Sequence, residues 1–172
     1  MTRSEAVELI STPGIVRTAP LIWYDFGCGS GTFTLALADL LSPGSIIYAF
    51  DKDERAMDRV PDRHREVEIR KAAKNLADSN LHLGAVDGIL MANFLHFIRE
   101  QTAFLRRIIL LAGQFLVVEY DTSTPSVWVP YPLAFPRLRM QFLQAEASTV
   151  EKIGTRRSRY RGEMYSAIAK RS

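Results

Sequence analysis

Residues 21–34, LIWYDFGCGSGTFT, decide how this chain is read. An apolar β-like run, Leu21 to Phe26, leads into a turn with glycines at 27, 29 and 31, and a helix is predicted from about Phe33 to Leu41. Alternating glycines let the backbone turn sharply and approach a ligand where a Cβ would collide. The helix that follows points its free N–H groups and its positive dipole end at whatever lies over the turn. Strand, glycine turn and helix N-terminus together predict a small-molecule cradle.

Spacing narrows the ligand. Dinucleotide-binding turns read G-x-G-x-x-G, whereas here the glycines alternate and position 32 is Thr. Asp25 closes the strand, where a carboxylate would repel a pyrophosphate and suit a ligand with a cationic end. Asp51 ends a second apolar run, Ile46 to Phe50, about 20 residues past the glycines, where an acid can hold ribose hydroxyls. The pattern D-x-G-x-G-x-G at the end of a first strand resembles motif I of the class I S-adenosylmethionine-dependent methyltransferases, and Asp51 strengthens the resemblance. That resemblance implies S-adenosylmethionine as the cofactor, held by Asp25, Gly27, Cys28, Gly29, Gly31, Asp51 and Lys52. It also places Ala73, Lys74 and Asn93, at the ends of later strands, against the cofactor.

The 172 residues suit a single domain, 1–172, with one substantial core. An apolar content of 47% with 24% charged residues is ordinary globular composition. No stretch approaches the roughly 20 apolar residues that span a bilayer. The N-terminal segment carries charges of both signs and no continuous apolar run, which argues against a signal peptide. The single cysteine, Cys28, excludes an internal disulfide framework and reads as a packing residue rather than a nucleophile. A cytoplasmic protein, monomer or homodimer, is expected. A net charge of +3 is compatible with nucleic acid but does not demand it.

Outward from the glycine turn, strands and helices alternate. Ser4 to Ile10 predicts a short helix with Ser4 as N-cap, ended at Thr12-Pro13-Gly14. So little chain precedes the first strand that the site is expected to be open, or covered by a partner subunit. Lys52 to His64 reads as a short charged helix cut by Pro61, and Val67 to Ala73 as a third strand. Val86 to Phe94 reads as a fourth strand, Arg99 to Ala112 as a helix, and Gly113 to Tyr120 as strand five. A Pro/Ser/Thr-rich loop, Asp121 to Pro132, precedes a helix from about Leu133 to Glu146. Two strands, Thr149 to Thr155 and Glu163 to Lys170, close the chain. Apolar strands separated by helices predict an α/β fold with a mostly parallel sheet covered on both faces. The resemblance makes this a Rossmann-like sheet of seven strands, in the order 3-2-1-4-5-7-6 counted along the chain, ending in an antiparallel hairpin.

Ligands of such sheets bind outside the carboxyl ends of the strands. That rule selects, besides the glycine loop, Asn93 to His96 and Glu119 to Asp121. His96 is the natural general base, with Asn93 and Asp121 beside it as further catalytic candidates and Glu119 a lesser one. His64 and His82 read as exposed. Trp128 and Tyr131 would stack on a planar acceptor. Arg156, Arg157, Arg159 and Arg161 in the closing hairpin would clamp an anionic one.

In related methyltransferases an acid after strand three binds the adenine amino group, but here the neighbourhood reads Ala73-Lys74-Asn75, with Asn75 as a substitute. No residues have metal-ligand spacing, so metal-independent catalysis is expected. Strand four ends in Asn93-Phe94-Leu95-His96, unlike the N-P-P-[YF] motif of enzymes methylating exocyclic amines of bases. The reading is a methyltransferase acting on a small anionic or aromatic acceptor. Its alternatives are an RNA or ribosome-associated methyltransferase and a non-catalytic S-adenosylmethionine-binding regulatory protein.

Overall fold

Strand β1 (Ile22–Phe26) sorts the core into two layers by its alternation. Trp23 and Asp25 face one side of the sheet, while Tyr24 and Phe26 face the other. On either side β1 pairs in parallel with β2 (Ile46–Asp51) and β5 (Val86–Ala92). The computed structural model describes residues 1–172 except 14, 16, 17, 79–81, 159–161 and 172. Gly14, Arg159 and Arg161 therefore lie outside the described residues.

The remaining strands are β3 (Arg63–His64), β4 (Val67–Ala73), β6 (Ala112–Tyr120), β7 (Thr149–Arg157) and β8 (Glu163–Lys170). They form one eight-stranded sheet in the order β3-β4-β2-β1-β5-β6-β8-β7. Without the two-residue edge strand β3, this is the expected seven-strand order. β6 runs antiparallel to β8 and β8 antiparallel to β7, so the C-terminal hairpin closes the parallel core.

Helices α1 (Arg3–Ile10) and α2 (Thr32–Leu40) cover the Trp23 face, burying Leu9, Ile10, Ala36 and Leu37 against Ile47, Leu90 and Leu116. On the Tyr24 face, α4 (Gln101–Ile108) and α5 (Phe135–Gln144) bury Phe104, Leu105, Leu138 and Phe142 against Phe26, Phe115 and Val117. One turn of helix, α3 (Glu54–Met57), closes a small third cluster holding Cys28, Val60 and Ile69.

The structure departs from the sequence reading at three places. Thr2, not Ser4, caps α1: its side chain accepts from Glu5 N while the Glu5 carboxylate accepts from Thr2 N at 2.7 Å. A Thr-x-x-Glu capping box wins because it satisfies two donors at once. The helix predicted over Lys52 to His64 shrinks to α3, because residues 63–64 turn back as β3 and pair with β4. His64 is not exposed: its Nε2 lies 2.9 Å from Asp39 Oδ1, and Arg65 (3.0 Å) and Arg3 (3.2 Å) share the same carboxylate. This cluster joins α1, α2 and the β3–β4 edge.

Trp23 is completely buried, and its indole occupies the space that a side chain at Gly88 would need. Trp23 and Gly88 are register partners on neighbouring strands, and a Cβ on Gly88 would stand 2.5 Å from the indole ring. Gly88→Ala is therefore expected to destabilise the fold by about 1–3 kcal/mol through overpacking. Gly113→Ala, with no atom within 4 Å of the added Cβ, is the contrasting substitution and should cost far less. Urea denaturation of the two variants checks the difference.

Candidate active site

The turn after β1 is held by backbone geometry. Gly27 has a φ of 76°, and a Cβ there would lie 2.6 Å from the Phe94 ring, so both conformation and space demand glycine. Gly27 N and Cys28 N both donate to Phe50 O, at 2.8 and 3.0 Å, which ties the turn to the neighbouring strand. Gly31, with a φ of 87°, then starts α2 and provides no side-chain cap. Asp51, at the end of β2, accepts from Gly29 N at 2.8 Å and from Asp53 N at 3.0 Å. Its carboxylate thus braces the glycine loop from below while still lining the cavity above it.

That cavity, of about 450 Å³, is also lined by Asp25, Cys28, Thr32 and Asn93. Asp25 is buried beneath α2, where Thr34 Oγ1 donates to its Oδ2 at 2.5 Å. Its Oδ1 is buried and has no hydrogen-bond partner among the described residues. Burial pushes the carboxyl up to about 7; the Thr34 bond opposes the shift and the Asp51 charge adds to it. Burial also raises the Cys28 thiol, which suits packing better than nucleophilic attack.

A second recess of about 200 Å³ opens beyond Gly27, Asp51 and Asn93, where Lys52, Lys74 and Phe94 line it. Ala73 pairs with Asp51 at the strand ends, and Lys74 N donates to Asp51 O at 2.8 Å. Asn75 also lines the recess, but its Oδ1 already accepts from Ala77 N at 3.2 Å.

A third cavity, of about 560 Å³, adjoins the first. Asn93, Phe97 and Tyr120 line both, and His96 and Trp128 belong to the third alone. His96 is 2% exposed, and its Nδ1 lies 2.6 Å from Glu119 Oε2. The other oxygen of Glu119 accepts from His96 N at 3.2 Å, so one buried carboxylate orients both the backbone and the ring. Asn93 adopts a left-handed φ of 54°, and its buried Oδ1 has no partner among the described residues.

The other sequence-selected residues serve elsewhere. Asp121 accepts from Phe135 N at 3.0 Å and from Lys152 Nζ at 2.9 Å, clamping the loop to α5 and β7 rather than joining His96. Burial pushes its pKa up, but the Lys152 bond, the Phe135 N–H and the Lys152 charge together leave it lowered. Tyr131 does not line the His96 cavity, although its N donates to His96 O at 3.0 Å. Arg156 is drawn to α1 by Glu5 (2.5 Å) and Glu8 (3.6 Å), which removes it from a free positive rim. Arg157 lines the cradle beside Met1 and Glu5. The short N-terminal helix is thus itself a wall of the cradle. Sequence reasoning selected the stretch holding Tyr120 without giving that residue a role, and it missed Phe97 and Glu5; the aromatic residue beside His96 was the available signal for Phe97.

Residues 24–113 match the family described as a methyltransferase domain. No curated protein sequence matches the chain. Among solved structures, the YcgJ protein of Bacillus subtilis aligns with a TM-score of 0.70 at 11% identity, over 98% of this chain and 99% of that one. The plantazolicin methyltransferase BpumL, in complex with S-adenosylhomocysteine, aligns with a TM-score of 0.68 at 12% identity, over 99% and 84%. A Thermotoga maritima methyltransferase described as a possible histamine N-methyltransferase gives 0.67 at 13% identity, over 99% and 89%. The chain spans 37% of the length of another match, EvdMO1. Glycine loop, strand order and sequence match agree: the chain belongs to the class I S-adenosylmethionine-dependent methyltransferase family.

Proposed function

We propose that this S-adenosylmethionine-dependent methyltransferase modifies a small molecule held in the cavity between His96 and Trp128. One observation carries the reading: Asn93, Phe97 and Tyr120 wall both that cavity and the cradle, so a ligand in one borders a ligand in the other. The residues present fit the cofactor. Asp25 keeps a buried oxygen without a partner among the described residues for a cationic group, and at Gly29 nothing lies within 4 Å of where a Cβ would stand, so the loop leaves open space there. Asp51 would hold the ribose, and the recess at Lys74 would take the adenine. When bound, S-adenosylmethionine supplies an electrophilic methyl group on a positively charged sulfur.

What the chain contributes is position, because displacement at a methyl carbon needs in-line approach. His96, oriented by Glu119, is placed to take a proton from the acceptor. The relatives named as plantazolicin and histamine methyltransferases lend support to a small acceptor. The RNA alternative draws less support, since Arg156 is paired with Glu5. Calorimetric titration tests the cofactor assignment: S-adenosylmethionine should bind and NAD should not, and the reverse would sink it. A labelled-methyl screen across small metabolites and total RNA tests the acceptor class.

Asp51→Ala should weaken S-adenosylmethionine binding roughly ten- to a hundredfold, the loss expected for a charged hydrogen-bond partner. Because Asp51 also braces Gly29 N, Asp51→Asn should recover part of the affinity. Calorimetry on the folded variants measures both.

Asp25 gives a stability signature of its own. With its carboxyl raised to about 7 in the fold, the native state holds a proton that the unfolded chain releases near pH 4. Native stability from this group is fully present below about pH 4 and is lost as pH rises toward about 7. Asp25→Asn should therefore stabilise the unliganded protein relative to wild type increasingly over that window, then level off. Thermal unfolding at pH 5, 6, 7 and 8 reads the trend. The same substitution should weaken S-adenosylmethionine binding at pH 8, where the wild-type carboxylate is charged.

A further inference from the structure

We propose that the acceptor is an uncharged, planar aromatic molecule with a weakly acidic hydroxyl, stacked on Trp128 and deprotonated by His96. The proposal rests on the reading of this cavity as the acceptor site. Charge disfavours the anionic alternative. No Lys or Arg is among the described residues lining the cavity, and Arg156 and Arg157 line the adjoining cradle. An anion entering would lose water and gain no counter-ion from the described lining.

Shape and rigidity favour a flat ring. Phe97, Tyr120 and Trp128 offer three aromatic surfaces, and offset stacking on such rings adds to simple area burial. Trp128 stands on a closed tip: Ser126 N donates to Val129 O at 3.0 Å, and Val129 N donates back to Ser126 O at 3.2 Å. The Ser126 hydroxyl accepts a further bond from Val129 N at 3.1 Å, and Val129 itself is buried. The tip is therefore anchored while Trp128, 81% exposed, projects at the cavity. A large aromatic side chain held so openly beside an apolar cavity is a ready stacking platform.

The base sets the acidity of the acceptor. Glu119 engages His96 at Nδ1, and in the neutral ring that donates from Nδ1 the Nε2 lone pair is free to take a proton. A phenol-like hydroxyl, with a pKa of about 10, gives up its proton to a nitrogen base far more readily than an aliphatic alcohol does. His96 Nε2 receives the hydroxyl proton while the acceptor oxygen bonds the methyl carbon, and the electron pair of the broken carbon–sulfur bond stays on sulfur. The products are a methyl ether, neutral S-adenosylhomocysteine and an imidazolium that returns its proton to water.

The test uses the full chain without cofactor and 4-nitrophenol as the probe, at a pH where the probe is neutral in water. Calorimetry reads affinity, and absorbance reads conversion of the bound probe toward its coloured phenolate. Saturable binding is expected, weakened about tenfold or more in Trp128→Ala. In His96→Gln, whose amide can still donate to Glu119, binding should persist within about threefold while the colour change disappears. 4-Nitrophenyl phosphate should bind more weakly than 4-nitrophenol. Tighter binding of the phosphate, or equal 4-nitrophenol affinity in Trp128→Ala, would overturn the proposal. So would an unaltered colour change in His96→Gln. Absence of 4-nitrophenol binding in a protein that still binds S-adenosylmethionine overturns this proposal alone. Failure to bind S-adenosylmethionine overturns the reading beneath it.

Discussion

Asp25 is a carboxylate buried under α2, with one oxygen bonded to Thr34 and the other without a partner among the described residues. A buried acceptor without a partner is costly, and this one stands at the carboxyl edge of the central strand. It persists because the period of β1 points position 25 to the same face as Trp23, beneath the helix that the glycine turn launches. The neighbouring pieces fit around it: the turn must be glycine to pass Phe94, and Asp51 must brace the loop from the next strand. Asp25 Oδ1 and Asn93 Oδ1 are thus buried acceptors without a partner among the described residues, and both residues line the cradle.

Most of the architecture was legible because apolar runs and turn residues coincide. Val67 to Ala73 and Glu163 to Lys170 were read with the bounds they have in the structure: β4 alternates enough to bury Val67 and Ile69, and β8 is a buried run between polar ends. Residues 52–64 were misread for a physical reason. Their charges suit an exposed helix, but a two-residue antiparallel pairing at the sheet edge rests on hydrogen bonds rather than side-chain pattern. His64 shows the same limit: its partner Asp39 is 25 residues away, on α2.

Of the candidate site, the glycine-loop half was legible and the His96 half was blurred. Glycine loops and strand-end acids are local signals, whereas the cavity at His96 is assembled from three separate stretches. His96 was visible, but its tie to Glu119 spans 23 residues and becomes plain only when β5 and β6 lie side by side. Arg156 was misjudged as a free clamp because the acids that hold it, Glu5 and Glu8, sit at the other end of the chain. Asp121 looked like chemistry because it directly follows β6, yet it secures the loop to β7 and α5.

The docking of α1 on the terminal hairpin has a consequence for the order of events during synthesis. The Ser166 hydroxyl donates to Leu9 O across 157 residues of chain, and Arg156 reaches Glu5 beside it. The glycine loop leaves the ribosome early, but the wall that encloses it depends on strands made last. Contacts of such long sequence separation form late because loop closure must come first. A nascent chain halted before Glu163 would carry the whole glycine loop and still present an unfinished cradle. The cradle wall is therefore complete only once β8 has been made and both ends of the chain have met.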